Sequence, residues 1–297
     1  MKHPYNISRP MHILSIGLII LLVSTLFQPE TAYTQLQRER AVQVEEVTDI
    51  FWSTKGIGTA SVRTPSAGNL NSSVMHAFGL TSSGIEQFYG LDFGANTRFG
   101  LEYGITGRWS AGISRMTFDK VVEMDSKYRI LRQMSDDSTP IDLAVKFSTG
   151  IVTRPDNRLD FQDRLNYFTS LMVARKFSES FSLQLAPMFA HFNRVEDNRK
   201  SQLLGLGIVG HVRLSDRFAL VAEYLPVLSD RNPGTTDTFA LGLDIETGGH
   251  VFQIFFSSSQ WHNESFIMAR NQHDFWTGDF RFGFNINRVF WLTGREQ

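Results

Sequence analysis

Two histidine clusters in the sequence hold residue types able to do chemistry. His191 stands two residues before Asn193, and His262-Asn263-Glu264-Ser265 sets a base, a carboxylate and a hydroxyl side by side. A histidine that activates a serine is the machinery of ester hydrolysis, here of a lipid, and it needs nucleophile and base within hydrogen-bond reach. Adjacency along the chain does not supply that geometry, so neither cluster defines a catalytic site. His250 follows Gly248-Gly249 directly and reads as a hairpin or interface residue. Asp136-Asp137 and the stretch from Asp156 to Asp163 offer acidic groups for calcium, but read as solvated turns. Metalloprotease, phosphate-loop, dinucleotide and EF-hand signatures are missing from the sequence. The reading assigns no catalytic residue, no metal and no cofactor.

Composition narrows the classes further. The 297 residues include no cysteine, which removes disulfides, thiolate metal sites and cysteine nucleophiles. A formal charge of −1 argues against a nucleic-acid partner, whose binders carry a clustered basic excess. Phenylalanine, at 25 residues against 7 tyrosines and 5 tryptophans, supplies aromatic surface without polar atoms.

The elements that would position any site follow from hydropathy. Lys2 and Arg9 precede an uncharged run from Ile13 to Phe27, broken by Gln28, Pro29 and Glu30. Ala32 and Thr34 then place small residues before Gln35, the layout of a cleaved secretory signal over residues 1–34. That run is shorter than the roughly 20 apolar residues of a spanning helix. Further along, the period is two. Phe280, Phe282, Phe284 and Ile286 alternate with Arg281, Gly283, Asn285 and Asn287. Phe99, Leu101, Tyr103 and Ile105 alternate with Arg98, Gly100, Glu102 and Gly104, and Phe239 to Ile245 behaves alike. Such alternation marks strands with one apolar and one polar face.

The polar face mixes glycine, small residues and both charge signs, which suits a crowded lumen. Aromatics gather near the ends of segments of about ten residues, as in strands that cross a bilayer. The prediction is an all-β chain, a transmembrane antiparallel up-and-down β-barrel, with its apolar face on lipid. Twelve strands are expected, near 70–80, 95–105, 108–118, 120–132, 140–149, 165–177, 180–192, 203–214, 217–228, 236–247, 250–258 and 279–290. Long and short connections alternate back from the C-terminus, and Gly248-Gly249 supplies a two-residue hairpin.

The same phases give a lumen-lining set: Arg98, Glu102, Glu123, Asp125, Lys127, Arg129, Asp142, Lys146, Arg213, Glu223, Asp244, Glu246 and Arg281. Neither sign dominates, which predicts ion pairs across strands and, for Glu223, a cationic neighbour. A barrel of twelve strands lies between the side-chain-filled eight and the open sixteen. Ser258 to Gly278, with Trp261, Phe266, Phe275 and Trp276, is expected as an external lid or docking loop. Residues 35–69 precede the barrel of residues 70–297. They hold Ile50, Phe51, Trp52, Ile57 and Val62 near Gly56 and Gly58, too much apolar surface to leave in water. They are expected as a periplasmic tail or lumen plug, or as two further strands that make fourteen.

Several runs resemble an uncharacterised outer-membrane β-barrel family, a domain of unknown function, of Bacteroidota. They include His76-Ala77-Phe78-Gly79, Phe88-Tyr89-Gly90-Leu91-Asp92, Arg98-Phe99-Gly100-Leu101-Glu102-Tyr103-Gly104-Ile105 and Ala174-Arg175-Lys176-Phe177. Thr247-Gly248-Gly249-His250-Val251-Phe252-Gln253 and Gly283-Phe284-Asn285-Ile286-Asn287-Arg288-Val289-Phe290 continue the series, and Ile57 to Asn71 departs from it. The resemblance implies an outer-membrane barrel and brings no assigned activity. The expected function is a narrow channel or transporter for small solutes in a Gram-negative outer membrane, reached through general secretion. Its expected contacts are outer-membrane lipid, the barrel-assembly machinery and a small solute; no protein partner is named. The alternatives are a non-conducting structural or assembly barrel and a lipid-modifying enzyme.

Overall fold

Where apolar and polar residues alternate, the chain is extended, and turn residues fold each extended run back on the last. The computed structural model describes residues 44–292; the expected signal at 1–34 and the first residues of segment 35–69 lie outside them. The strands are β1 (Asn69–Leu80), β2 (Asn96–Gly104), β3 (Trp109–Met116), β4 (Val121–Leu131), β5 (Asp142–Val152) and β6 (Leu165–Lys176). They continue with β7 (Phe181–Phe192), β8 (Gln202–Arg213), β9 (Phe218–Leu225), β10 (Thr238–Glu246), β11 (His250–Ser257) and β12 (Arg281–Trp291).

Each strand pairs antiparallel with its neighbours in sequence, and β1 closes the ring on β12, with Asn69 opposite Trp291 and Ala77 opposite Gly283. A closed ring has no unpaired edge, the condition for a sheet to sit in hydrocarbon. The twelve-strand expectation therefore holds. The fourteen-strand alternative does not, because the described residues before β1 form only isolated bridges, Glu46 with Met134 and Lys55 with Ala60.

Turn chemistry sets one end of the ring. Gly248 takes a φ of 83°, whereas Gly249 stays out of the left-handed region, so this hairpin needs one such residue and not two. At the opposite end, the tight turn between β3 and β4 puts Asp119 and Lys120 at φ of 52° and 51°. The connections 81–95, 153–164, 193–201, 226–237 and 258–280 share that second end, while the ten-residue connection 132–141 lies with the short turns at the first.

The outer face is apolar: Phe99, Leu101, Ile113, Met124, Phe147, Leu204 and Ile254 are all exposed around the ring. A continuous apolar girdle of this size is stable only against lipid or a partner. The inner face departs from the uniform polarity expected of it. On β2 to β5 it is charged, but on β6 to β9 Phe168, Met172, Met188, Leu203, Val209 and Val221 also point inward and are buried. Those residues seat a short helix, α1 (Glu264–Arg270), which packs against β6, β7 and β8 inside the ring.

An arginine in place of Ile113, in the middle of β3 on the outer face, is expected to destabilise the inserted barrel by about 2–4 kcal/mol. Urea titration in lipid vesicles, read by heat-modifiable gel mobility, measures this. An unchanged midpoint would place that face away from lipid.

Candidate functional site

The charged half of the interior is organised by what β3 lacks. Its inner face carries only Ser110, Gly112 and Ser114 before Met116, so long side chains of β2 and β4 meet across it. Arg98 pairs with Glu123 at 3.1 Å, and Lys127 pairs with Glu102 at 3.2 Å. Ser110 Oγ donates to Glu102 Oε1 at 2.7 Å. A Cβ at Gly112 would stand 2.9 Å from the Asp125 carboxylate, so that glycine makes the room Asp125 occupies. Arg129 pairs with Asp142 on β5 and, at 2.6 Å, with Glu46 of the N-terminal segment.

The remaining members of the expected lumen set have other partners. Lys146 pairs with Glu264 of α1, and Asp244 stands 3.8 Å from His211. Arg213 reaches Asp49 at 3.3 Å, Arg281 donates to the Ser258 carbonyl at 2.8 Å, and Glu246 accepts the Gly248 N–H at 2.6 Å. Ten of the thirteen are buried, while Asp125, Arg213 and Glu246 are half-buried.

Glu223 differs most from expectation. Among the described residues it has no cationic partner. Its carboxylate instead accepts from the backbone N–H groups of Ile57 at 2.6 Å and Gly58 at 2.9 Å, and from the Thr59 hydroxyl at 3.1 Å. Two carboxylate oxygens match two consecutive N–H groups, and this is possible because Gly56 has no side chain. A Cβ there would lie 1.9 Å from Glu223 Oε1.

Residues 50–62 thus lie within the ring, with Ile50, Phe51, Ile57, Ala60 and Val62 buried. Gln184 on β7 accepts from Val62 N–H at 2.9 Å and donates to the Ala60 carbonyl at 2.8 Å. Asn285 on β12 donates to the Ile57 carbonyl at 2.9 Å, and Lys127 on β4 donates to the Thr54 and Ser61 carbonyls. Four strands spaced around the ring therefore tether one segment.

The connection from β11 to β12 enters from the other end. Trp276 is 74% exposed, whereas Phe266, expected in an external lid or docking loop, is 0% exposed and lies inside the ring. Phe266 meets Phe192 edge-to-face at 5.5 Å, because α1 finds an apolar seat on β6 to β8. Trp261 is half-buried and lies 5.4 Å from Phe266, while Phe275 packs on Phe239 at 4.8 Å. At the helix end, Arg270 stacks on Phe266 and pairs with Asp119 of the β3–β4 turn.

Glu264 is where the three parts join. Lys146 Nζ lies 2.9 Å from both of its oxygens, and the Ala60 N–H donates to Oε1 at 3.0 Å. Burial opposes its ionisation, but the Lys146 and Lys55 ammonium groups outweigh that and hold the carboxyl below its ordinary range. Burial, reinforced by Arg98 and Lys146, pushes the Lys55 ammonium down to about 8.

The histidine clusters do not assemble for hydrolysis. His191 points outward and stacks on Tyr167 at 6.2 Å. His262 is buried with Nε2 at 3.0 Å from the Asn96 carbonyl, and burial pushes its imidazole down to about 3. Among the described residues neither ring has a hydrogen bond to a serine hydroxyl. Sequence reasoning missed Glu264 as an interior group, and Gln184 as a tether. Gln184 was visible on the polar phase of its strand, but Glu264 sits in a connection with no period to place it.

A family model described as a membrane bound beta barrel domain (DUF5777) matches residues 51–290. No curated protein matches the chain. Among solved structures, the NanC porin in a rhombohedral crystal form is 10% identical, covers 74% of this chain and 98% of its own, and gives a TM-score of 0.49. The KdgM porin is 8% identical, with coverage of 75% and 99% and a TM-score of 0.48. A mutant of Rh. blastica porin is 12% identical, with coverage of 66% and 55% and a TM-score of 0.31.

Two substitutions probe the interior. Glu223→Leu orphans the Ile57 and Gly58 N–H groups, at about 1–3 kcal/mol each. It is expected to expose Lys55 and Arg63 to trypsin in the folded barrel, with Glu223→Gln intermediate; an unchanged cleavage pattern would show that the carboxylate does not hold the segment. Lys146→Met leaves Glu264 buried and unpaired and is expected to cost about 3–5 kcal/mol. Lys146→Met combined with Glu264→Leu should regain most of that in urea unfolding, and equal destabilisation of the single and double variants would refute the pairing.

Proposed function

The chain belongs to the family of membrane bound beta barrel domains, and we propose that it serves as an outer-membrane conduit for small polar solutes, held closed by its own N-terminal segment. The reading places a Gram-negative cell around it. Residues 1–34 act as the export signal, residues 35–69 include the plug, and residues 70–297 form the wall. The long connections face outward and the short turns face the periplasm. Lipid covers the apolar girdle, and the barrel-assembly machinery inserts it.

One observation carries the reading. The segment inside the ring is not a strand of the wall but a separate occupant, fastened by side chains of β4, β7, β9 and β12. The neutral bonds of Gln184 and Asn285 contribute only about 0.5–1.5 kcal/mol net each, and those of the Lys127 ammonium and Glu223 carboxylate about 1.5–3 kcal/mol, because water replaces them on release. The charged wall of β2 to β5 is suited to a hydrated interior once the segment leaves. A wall meant to stay dry gains nothing from buried ion pairs over apolar packing.

The second reading is a barrel that conducts nothing. The meeting of the two infolded parts favours it: a Cβ at Gly58 would lie 3.0 Å from Ile267 of α1, and Ala60 is bonded to Glu264. Nothing in the histidine geometry favours lipid hydrolysis.

Conductance across a planar bilayer decides between the first two. Thr54 and Asn71 are hydrogen-bonded at 2.9 Å, and the chain has no native thiol, so Thr54→Cys with Asn71→Cys gives a lockable pair. A short thiol cross-linker is expected to abolish current steps that the uncross-linked protein shows under voltage. Absence of steps in the unlocked protein, and in a folded variant lacking residues 44–63, would overturn the conduit reading.

A further inference from the structure

A cavity of about 270 Å³ lies at the short-turn end, between the N-terminal segment and the inner faces of β1, β11 and β12. The alternation of the strands builds it. Asn71 on β1 and Asn287 and Trp291 on β12 share the inward phase, and Trp52, Arg63 and Glu246 complete the lining that matters here.

Asn287 is the telling residue. It is 5% exposed, yet neither its amide nitrogen nor its amide oxygen has a hydrogen-bond partner. Buried amides in folded proteins are satisfied, so an unpaired one beside a cavity implies an occupant offering both an acceptor and a donor. The guanidinium of Arg63 donates to the Phe51 carbonyl at 2.6 Å, and among the described residues no carboxylate stands within ion-pair distance of it. It has five N–H donors to place. Glu246 supplies an acceptor on the same cavity.

Two indoles complete the chemistry. Trp52 borders the cavity while its ring meets His211 edge-on at 5.2 Å, and Trp291 lies over Gly249, where a Cβ would be 3.6 Å from its ring. Water alone would satisfy the amide but leaves the Trp52 face wet. A simple anion would face Glu246, and a simple cation would face Arg63. A ring that carries hydroxyls at its edge and C–H groups on its faces matches both kinds of wall at once. The volume is close to the lower bound of small-molecule sites, about 300 Å³.

We infer that this cavity binds a neutral polyhydroxylated ring, a sugar of monosaccharide size. The inference does not depend on conduction, because binding is read on detergent-solubilised protein with no membrane potential.

The test titrates the folded full chain with glucose, galactose, mannose and N-acetylglucosamine, by tryptophan fluorescence and calorimetry. Galacturonate and glucosamine serve as charged counterparts. Saturable binding of at least one neutral sugar is expected, weakened about tenfold by Asn287→Ala, the loss of one well-made hydrogen-bonding group. Heat-modifiable mobility verifies that this variant is folded. Trp52→Leu lies outside the wall and provides a second variant, expected to lose the fluorescence response and weaken binding. No saturable binding to any neutral sugar, equal affinity in both folded variants, or tighter binding of either charged counterpart would overturn the assignment.

Discussion

A backbone that faces hydrocarbon must find all its hydrogen-bond partners inside the protein, and the pairing of β1 with β12 is the contact that completes this. Without it, both strands present rows of unpaired N–H and C=O groups to lipid. With it, the wall encloses a space too wide for the side chains of twelve strands to fill evenly. The chain fills that space itself, from one end with the residues before β1 and from the other with α1. The ordering of the interior is in this sense a result of closure.

The interior then divides by what each half must hold. Beside β3, serine and glycine let β2 and β4 join their charges, so the wall is fastened to itself. Along β6 to β8, apolar side chains receive Phe266, Ile267 and Met268 of the helix. The N-terminal segment runs between these halves and is bonded to both, through Lys127 on one side and Gln184 on the other. Glu264 draws the arrangement together, since it belongs to the helix, neutralises Lys146 of the wall and accepts from the backbone of the segment.

Most of the wall was legible in the sequence because a period of two has one structural meaning wherever lipid lies on one side. The run from Phe280 to Asn287 announces both its phase and its neighbours. Contacts set by three-dimensional closure were not legible. Arg98 and Glu123 lie on strands that are not adjacent, and they meet only because Ser114 between them is small. Phe168 and Met172 sit in a strand that carries apolar side chains on both faces, so alternation could not say which face receives a helix. Glu223 reads as a lumen charge in want of a cation, and nothing local in the sequence shows that two backbone N–H groups from a distant segment would take that place. The same limit applies to Glu264, where irregular backbone removes the only signal available.

The place of the segment in the chain has a kinetic consequence. The strands that seal the ring are the first and the last, so their pairing closes the longest loop between any two strands of the wall. The tethers of the segment are spread over β4, β7, β9 and β12. A wall that seals early would have to admit the segment afterwards through an opening lined by finished turns. A wall that seals late can wrap around a segment already resting on Gln184 and Glu223. The order of events would then be written into the topology, with the contents acting as a mandrel on which the last seam is drawn shut.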